Sequence, residues 1–242
     1  GNIASYTVTN PTGSNLTATI TITPTLNGCN GTPLIINRTA LAAPIITATP
    51  PNQTICSGNT ITTIVFNNTN SLPGITYSWS RDNTLNTFGI DATDPGGTTS
   101  IPGALTNLSG TPQTTVFTIT ALANGCPATP VTASVTVNPY PNLNAITGPS
   151  SVCEGSTIDL NNSTGGGTWT STNTSVATVN SSGQVTAVAA SGSTNIIYSI
   201  TVGGCSNSVT KAIDINALPT INATPGATSI CAGQTVILGA TG

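Results

Sequence analysis

The sequence predicts an all-β chain of tandem β-sandwiches joined head to tail, and three observations carry that prediction. The first is a joint that occurs three times, typified by ALANGCPATPVTASVTVNPYPNLNAITGPSSVCEGSTIDL at 121–160. Its copies run from Cys29 to Cys56, from Cys126 to Cys153 and from Cys205 to Cys231, with gaps of 27, 27 and 26 residues. Each copy holds a Gly-Cys turn, a Thr/Val/Ile-rich strand, a Pro-marked link, a second strand and a Cys-x-Gly turn. Self-similarity at a fixed interval marks an array rather than one large domain. The second observation is apolar alternation with period two, the pattern of a strand with one buried face. The third is composition: 37% of residues are hydrophobic but only 4% are charged. Thr, Ser and Asn therefore supply the exposed faces, and Thr is both β-branched and polar, which suits a pleated, half-exposed surface. No long stretch has the pattern of an amphipathic helix.

The joint sets the domain frame. Residues 1–44 read as the C-terminal part of one repeat, 45–139 as a complete repeat, 140–217 as a second, and 218–242 as the start of the next. On this reading the chain is a window on a longer array. Taken in order, Thr17–Ile22 alternates and is followed across Gly28-Cys29 by Leu34-Ile35-Ile36, which makes a hairpin. In the first complete repeat Ile61–Phe66 and Ile75–Trp79 read as strands, with Trp79 as a central core residue. Residues 81–103 are irregular, and Asp82, Asp91 and Asp94 lie there among Gly, Pro and Asn. Hard cations take oxygen ligands from such loops, but Asp is common in turns for backbone reasons, and the turn is the default reading. Val116–Thr120 and Val131–Val137 form the hairpin that closes the repeat, and Asn138-Pro139 and Pro141 end the sheet.

In the second repeat Ile158 and Leu160 face inward from one strand, Trp169 from the next, and Ile196, Tyr198 and Ile200 from a later one. Two such faces make a sandwich core. Trp169 is expected to be buried between the sheets. Its surroundings, Trp169, then Ser175-Val176-Ala177-Thr178-Val179, then Gly183-Gln184-Val185-Thr186-Ala187-Val188, resemble the bacterial Ig-like group 2 domain over about residues 145–215. The whole arrangement resembles the PKD-like and Ig-like arrays of giant cell-surface proteins in the Bacteroidota, including gliding-motility adhesins exported by type IX secretion. Residues 45–139 are similar to the PKD-like version through Tyr77-x-Trp79 and the terminal hairpin. The resemblance implies Ig-like/PKD-like sandwiches in an extracellular, cell-surface stalk. Its implied partners are neighbouring repeats of the same chain, and surface polysaccharide or other filament subunits. Two alternatives stand beside it: a carbohydrate- or filament-binding module, and an accessory array of a secreted glycoside hydrolase.

The chemistry the sequence offers is sparse. With no His there is no Ser-His or Cys-His pair, and the carboxylates are scattered. Glu154 is Ser57 and Ala232 in the other copies, so the joint does not reserve that position for catalysis. Gly165-Gly166-Gly167 is followed by no Lys and no expected helix, so it reads as a turn rather than a phosphate loop. No catalytic, cofactor-binding or metal-binding residues are predicted, and the chain reads as a non-enzyme without cofactors. The net charge of −3 gives no footing for nucleic acid. No apolar run reaches 18 residues, so no membrane insertion is expected, and GNIASYTVTN lacks the basic start and apolar core of a signal peptide.

The six Cys occupy repeat-locked positions, which fits a disulfide framework in an oxidising compartment. In an Ig-like sandwich the strands alternate up and down. Cys-x-Gly and Gly-Cys turns of one repeat then lie at opposite ends, about 30 Å apart, whereas a disulfide needs Cα atoms within about 7 Å. In a head-to-tail rod the expected pair is therefore Cys56 with Cys205, across two repeats. Cys29, Cys126, Cys153 and Cys231 are left to partners outside this sequence. The competing arrangement keeps pairs within repeats, Cys56–Cys126 or Cys153–Cys205.

Overall fold

The computed structural model describes residues 7–94, 96–225 and 229–241. The chain divides into two compact units, 1–139 and 140–242. All regular elements among the described residues are strands, and each unit contains a β-sandwich.

The first unit opens with strand β1 (Leu16–Ile22) and the short pair β2 (Thr25–Leu26) and β3 (Cys29–Asn30), and returns in β4 (Leu34–Ala40). β1 and β4 pair antiparallel, from Leu16 opposite Ala40 to Ile22 opposite Leu34. Thr17–Thr39 and Thr19–Asn37 side-chain hydrogen bonds cross the outer face. Ile20, Ile22 and Ile36 on the other face are half-buried. The sandwich follows: β5 (Ile46–Thr49), β6 (Asn52–Cys56), β7 (Ile64–Asn68), β8 (Thr76–Arg81), β9 (Thr87–Phe88), β10 (Ser100–Ile101), β11 (Thr106–Asn107), β12 (Gln113–Ala123), β13 (Cys126–Pro127) and β14 (Val131–Asn138). One sheet has the order β10-β7-β5. The other places β12 between β8 and β14, with β6 on the far side of β14.

Burial follows the alternation strand by strand. Along β12 every second residue from Thr115 to Ala123 is buried, and Thr114, Val116, Thr118 and Thr120 face outward. The inner faces meet in one core of Ile46, Ile64, Phe66, Ile101 and Leu105 against Trp79, Phe117, Ile119, Val135 and Val137. Phe66 and Tyr77 rings lie 5.4 Å apart and Trp79 and Phe117 rings 5.8 Å apart, the second pair edge-on, a geometry favoured by aromatic quadrupoles.

Two features differ from the sequence reading. The opening stretch is shared between sheets: β5 pairs antiparallel with β7, then the chain turns at Pro50 and β6 runs parallel to β14. The strand expected over 61–66 begins only at Ile64. Gln53 takes both main-chain groups of Thr62 through its side-chain amide (2.7 and 2.9 Å), so they have no place in a strand ladder. Ile61 is still buried, its N–H donating to the Gly103 carbonyl.

The second unit contains β15 (Ser151–Cys153), β16 (Thr157–Asp159), β17 (Thr168–Ser171), β18 (Ala177–Val179), β19 (Gln184–Ala187), β20 (Gly192–Val202) and β21 (Cys205–Asn216). β22 (Asn222–Pro225) and β23 (Leu238–Thr241) form a separate antiparallel pair. The sheets are β15-β21-β20-β17 and β16-β19-β18, and β15 runs parallel to β21 as β6 does to β14. Leu160, Ala177, Val185, Ile196, Tyr198 and Ile213 fill the core. The last Gly of the triplet, Gly167, is explained by Tyr198. A Cβ on Gly167 would sit 2.5 Å from the Tyr198 ring, and the Gly167 N–H donates to the Tyr198 hydroxyl, which donates to the Thr164 carbonyl.

Trp169 is only partly buried, not enclosed between the sheets as its sequence setting led one to expect. Its strand, β17, pairs with β20 alone and forms the sheet edge. The ring still faces inward, 4.6 Å from that of Tyr198. Trp169→Ala is therefore expected to cost about 2–3 kcal/mol, below the roughly 3–5 of an enclosed Trp. A urea unfolding series of the chain, followed by circular dichroism, measures it.

The three closing hairpins share one plan. β1–β4 and β12–β14 have the same register, each residue of the first matching one 97 positions later in the second. Ile20 and Ile22 thus correspond to Phe117 and Ile119, which are fully buried.

Candidate functional site

The first sandwich carries its least regular and most elaborated segment between β8 and β12. The second sandwich spans the equivalent gap, from β17 to β20, in fewer residues. The extra length folds into a two-stranded sheet of its own, with Thr106 opposite Phe88 and Asn107 opposite Thr87.

Arg81 fastens this segment. Its Nε donates to the carbonyls of Ile90 (2.8 Å) and Asp91 (3.1 Å). Nη1 donates to the Thr87 hydroxyl (3.0 Å) and Nη2 to the Thr87 carbonyl (3.2 Å). Thr87 is fully buried. Its hydroxyl also donates to the Asn83 carbonyl (2.7 Å) and meets that of Thr115 at 2.8 Å, so its hydrogen-bonding capacity is used. Burial lowers the Arg81 pKa, an effect opposed by the negative charges of Asp82 and Asp91.

The three Asp of this segment do not converge on a common point. Asp82 accepts the Val116 N–H at 2.7 Å. Asp94 accepts the Gly96 N–H at 3.0 Å and the Thr98 hydroxyl at 2.9 Å. The Thr98 hydroxyl in turn accepts Trp79 Nε1–H at 3.0 Å, which ties the loop to the core. Among the described residues there is no group of three or more metal-ligating side chains.

Burial acts to raise the Asp94 pKa, but hydrogen bonds from the Gly96 N–H, the Thr98 hydroxyl and the Thr98 and Gly97 N–H groups outweigh it and leave the pKa lowered. A carboxyl with a lowered folded-state pKa stabilises the fold above its unfolded value, about 3.9 for Asp. That contribution is lost as pH falls through the folded value. Asp94→Asn is expected to remove about 1–2 kcal/mol at neutral pH and to flatten the decline in stability below about pH 4. Urea midpoints for both proteins between neutral and acidic pH test it.

The Cys occupy the ends of the sandwiches. In the first, Cys56 lies opposite Asn138 at one end of β14, and Cys126 lies opposite Ala123 at the other end of the hairpin. The length of β12 between them corresponds to about 33 Å. In the second, Cys153 lies opposite Asn216 while Cys205 begins the same strand, β21, a separation of about 36 Å. Cys29, Cys126, Cys153 and Cys231 form no disulfide with another described residue, and Cys56 and Cys205 are disulfide-bonded. Trp79 lies in the first core and is buried. The Arg81–Thr87–Thr115 network had no signal in the sequence beyond a basic residue in a chain with only three.

Residues 53–141 match the PKD-like domain family. The match covers the first sandwich from β6 to β14 and leaves out β5. No curated protein matches the chain. Among solved structures, the chain is similar to the C-terminal 282-residue fragment of intimin, solved in complex with the intimin-binding domain of the translocated intimin receptor. Identity there is 20%, over 76% of this chain and 67% of that one, with a TM-score of 0.41. Human protocadherin-24 EC1-2 is 12% identical over 74% of this chain and 99% of that one, with a TM-score of 0.39. BT4661, a SusE-like surface-located polysaccharide-binding protein from Bacteroides thetaiotaomicron, is 12% identical over 73% of this chain and 35% of that one, with a TM-score of 0.32. The chain is built of tandem β-sandwich domains, the first of them PKD-like. No helix among the described residues is long and apolar enough to cross a membrane.

Proposed function

We propose that these sandwiches are spacer repeats in the stalk of an extracellular adhesin or surface filament, of the kind exported by type IX secretion for gliding motility. The observation that carries this reading is the repeated joint. Each sandwich ends in a long antiparallel hairpin with one Cys at its turn. Its other Cys lies on the opening strand paired with the far end of that hairpin, and a Pro-marked link leads to the next opening strand. Such a unit reaches the length of a strand per repeat and serves as a scaffold for sites on its loops. Residues 1–44 are the closing part of a repeat, 45–139 and 140–217 are complete repeats, and 218–242 open another. The common register of β1–β4 and β12–β14 supports the first of these assignments.

Cys56 and Cys205 bond to each other in this proposal, stapling two repeats, and the remaining Cys pair with repeats beyond this sequence. Separations of about 33 and 36 Å along the strands support it over pairing within a repeat, which needs Cα atoms within about 7 Å. Non-reducing peptide mapping is expected to yield a Cys56–Cys205 cross-linked peptide. A Cys56–Cys126 or Cys153–Cys205 peptide overturns the staple. Antibodies raised against residues 45–217 are expected to label intact cells of the source organism, and labelling only after permeabilisation overturns surface display.

A further inference from the structure

The geometry of the elaborated segment points to a saccharide-binding cleft on the first sandwich, with Phe88 as its stacking platform and a neutral, hydroxyl-rich glycan as its ligand. This goes beyond the spacer reading, because it gives one repeat a binding activity of its own.

The small sheet of β9 and β11 is two-faced. Thr87 and Asn107 point inward and are buried, so their neighbours point outward, and Phe88 is 61% exposed. Thr106, opposite Phe88, is exposed on the same outer face. An exposed aromatic ring usually lies on a mobile loop, but this one is held from both sides. Thr87 is locked beneath it by Arg81, Asn83 and Thr115. Gly89 beyond it packs so closely that a Cβ would lie 2.2 Å from the Ala104 carbonyl oxygen. The ring is thus offered to solvent from a rigid base, which lowers the entropy lost on binding.

Phe88 forms one wall of a cleft of about 340 Å³ that also includes Thr84, Asp91 and Ala92, with Arg81 in its lining. That volume lies at the small end of ligand sites, about 300–1,000 Å³, and suits one or two sugar rings. The cleft pairs an apolar ring face with a hydroxyl and an exposed carboxylate, Asp91, whose backbone is fixed by Arg81. Pyranose sugars have the complementary make-up: a C–H face that lies on an aromatic ring, and hydroxyls that donate to a carboxylate. A neutral ligand fits better than a charged one. Arg81 spends its donors on main-chain carbonyls and on Thr87, and Asp82 and Asp91 offset its charge.

The test is affinity electrophoresis of the 242-residue chain in native gels cast with soluble neutral polysaccharides: xyloglucan, galactomannan, dextran and pullulan. At least one is expected to retard the protein. Phe88→Ala is expected to weaken that retardation by about tenfold or more, with an unchanged circular dichroism spectrum and urea midpoint, because the side chain is exposed. Asp91→Asn is expected to weaken it by about threefold, in keeping with loss of a charged acceptor. Normal mobility on every polysaccharide overturns the proposal, as does undiminished retardation of Phe88→Ala. Concentration-dependent self-association of the chain that Phe88→Ala abolishes also overturns it, since exposed Leu85 and Leu108 would then make the face a protein-docking patch. None of these outcomes bears on surface display or on the disulfide, which the antibody and mapping experiments decide separately.

Discussion

Trp79→Ala is expected to destabilise the first sandwich by about 3–5 kcal/mol, the range for removing a large aromatic from a packed core. Trp79 is 7% exposed and lies on β8, at the edge of its sheet but covered by the elaborated segment. Three losses coincide in this variant. The indole no longer fills the space beside Phe117, whose ring lies 5.8 Å away. The edge-on contact between the two rings, about 0.5–1.5 kcal/mol for such a pair, goes with it. The Thr98 hydroxyl loses the Nε1–H donor that links it, through Asp94, to the loop. Trp79→Phe keeps most of the volume and discards the hydrogen bond, so it is expected to cost less than half as much. Urea unfolding of both variants, followed by circular dichroism, gives the two values. Equal losses for Ala and Phe would show that the hydrogen bond, not the packing, fixes the residue.

The closing hairpins and their outward Thr rows were legible because period-two alternation is local information. Val131–Val137 and Val116–Thr120 each declare their buried face without reference to any partner. The repeated joint was legible for the same reason, since a Gly-Cys turn and a Cys-x-Gly turn are punctuation in the chain itself. What the sequence withheld depends on partners distant along the chain. Asn52–Cys56 carries the pattern of a strand, but nothing in it says that it leaves the β5 sheet and runs parallel to β14. Trp169 has apolar neighbours on both sides in sequence and yet stands at a sheet edge, because the number of strands beyond β17 is not written near it. The 81–103 stretch looked like a plain polar loop. Its order comes from Arg81 reaching carbonyls at 87, 90 and 91, and an Arg among Ser and Asp residues reads no differently from a solvated one.

Gly89→Ala is expected to cost about 4 kcal/mol, more than any other single methyl added to the first sandwich. Two penalties add at this position. Its φ of +121° lies where only glycine is comfortable, and forcing an L-residue there costs about 1–3 kcal/mol. The added methyl would also lie 2.2 Å from the carbonyl oxygen of Ala104, a backbone atom. Relieving such overpacking costs about a further 1–3 kcal/mol. Ala104 cannot move alone, because it bridges to Thr60 and is followed by the fully buried Leu105. The chain at Gly89 cannot move alone either, because Arg81 holds the carbonyls on both sides of it, at Thr87 and Ile90. The strain must therefore spread into the β9–β11 sheet or break it. Gly125, also at positive φ but with no atom within 4 Å of its would-be Cβ, is the control: Gly125→Ala has the conformational penalty without the clash and is expected to cost about 1–2 kcal/mol. The difference between the two variants in urea midpoint reports the close approach together with the harsher φ at Gly89, +121° against +82° at Gly125, and equal midpoints would show that Ala104 yields to a methyl group without cost.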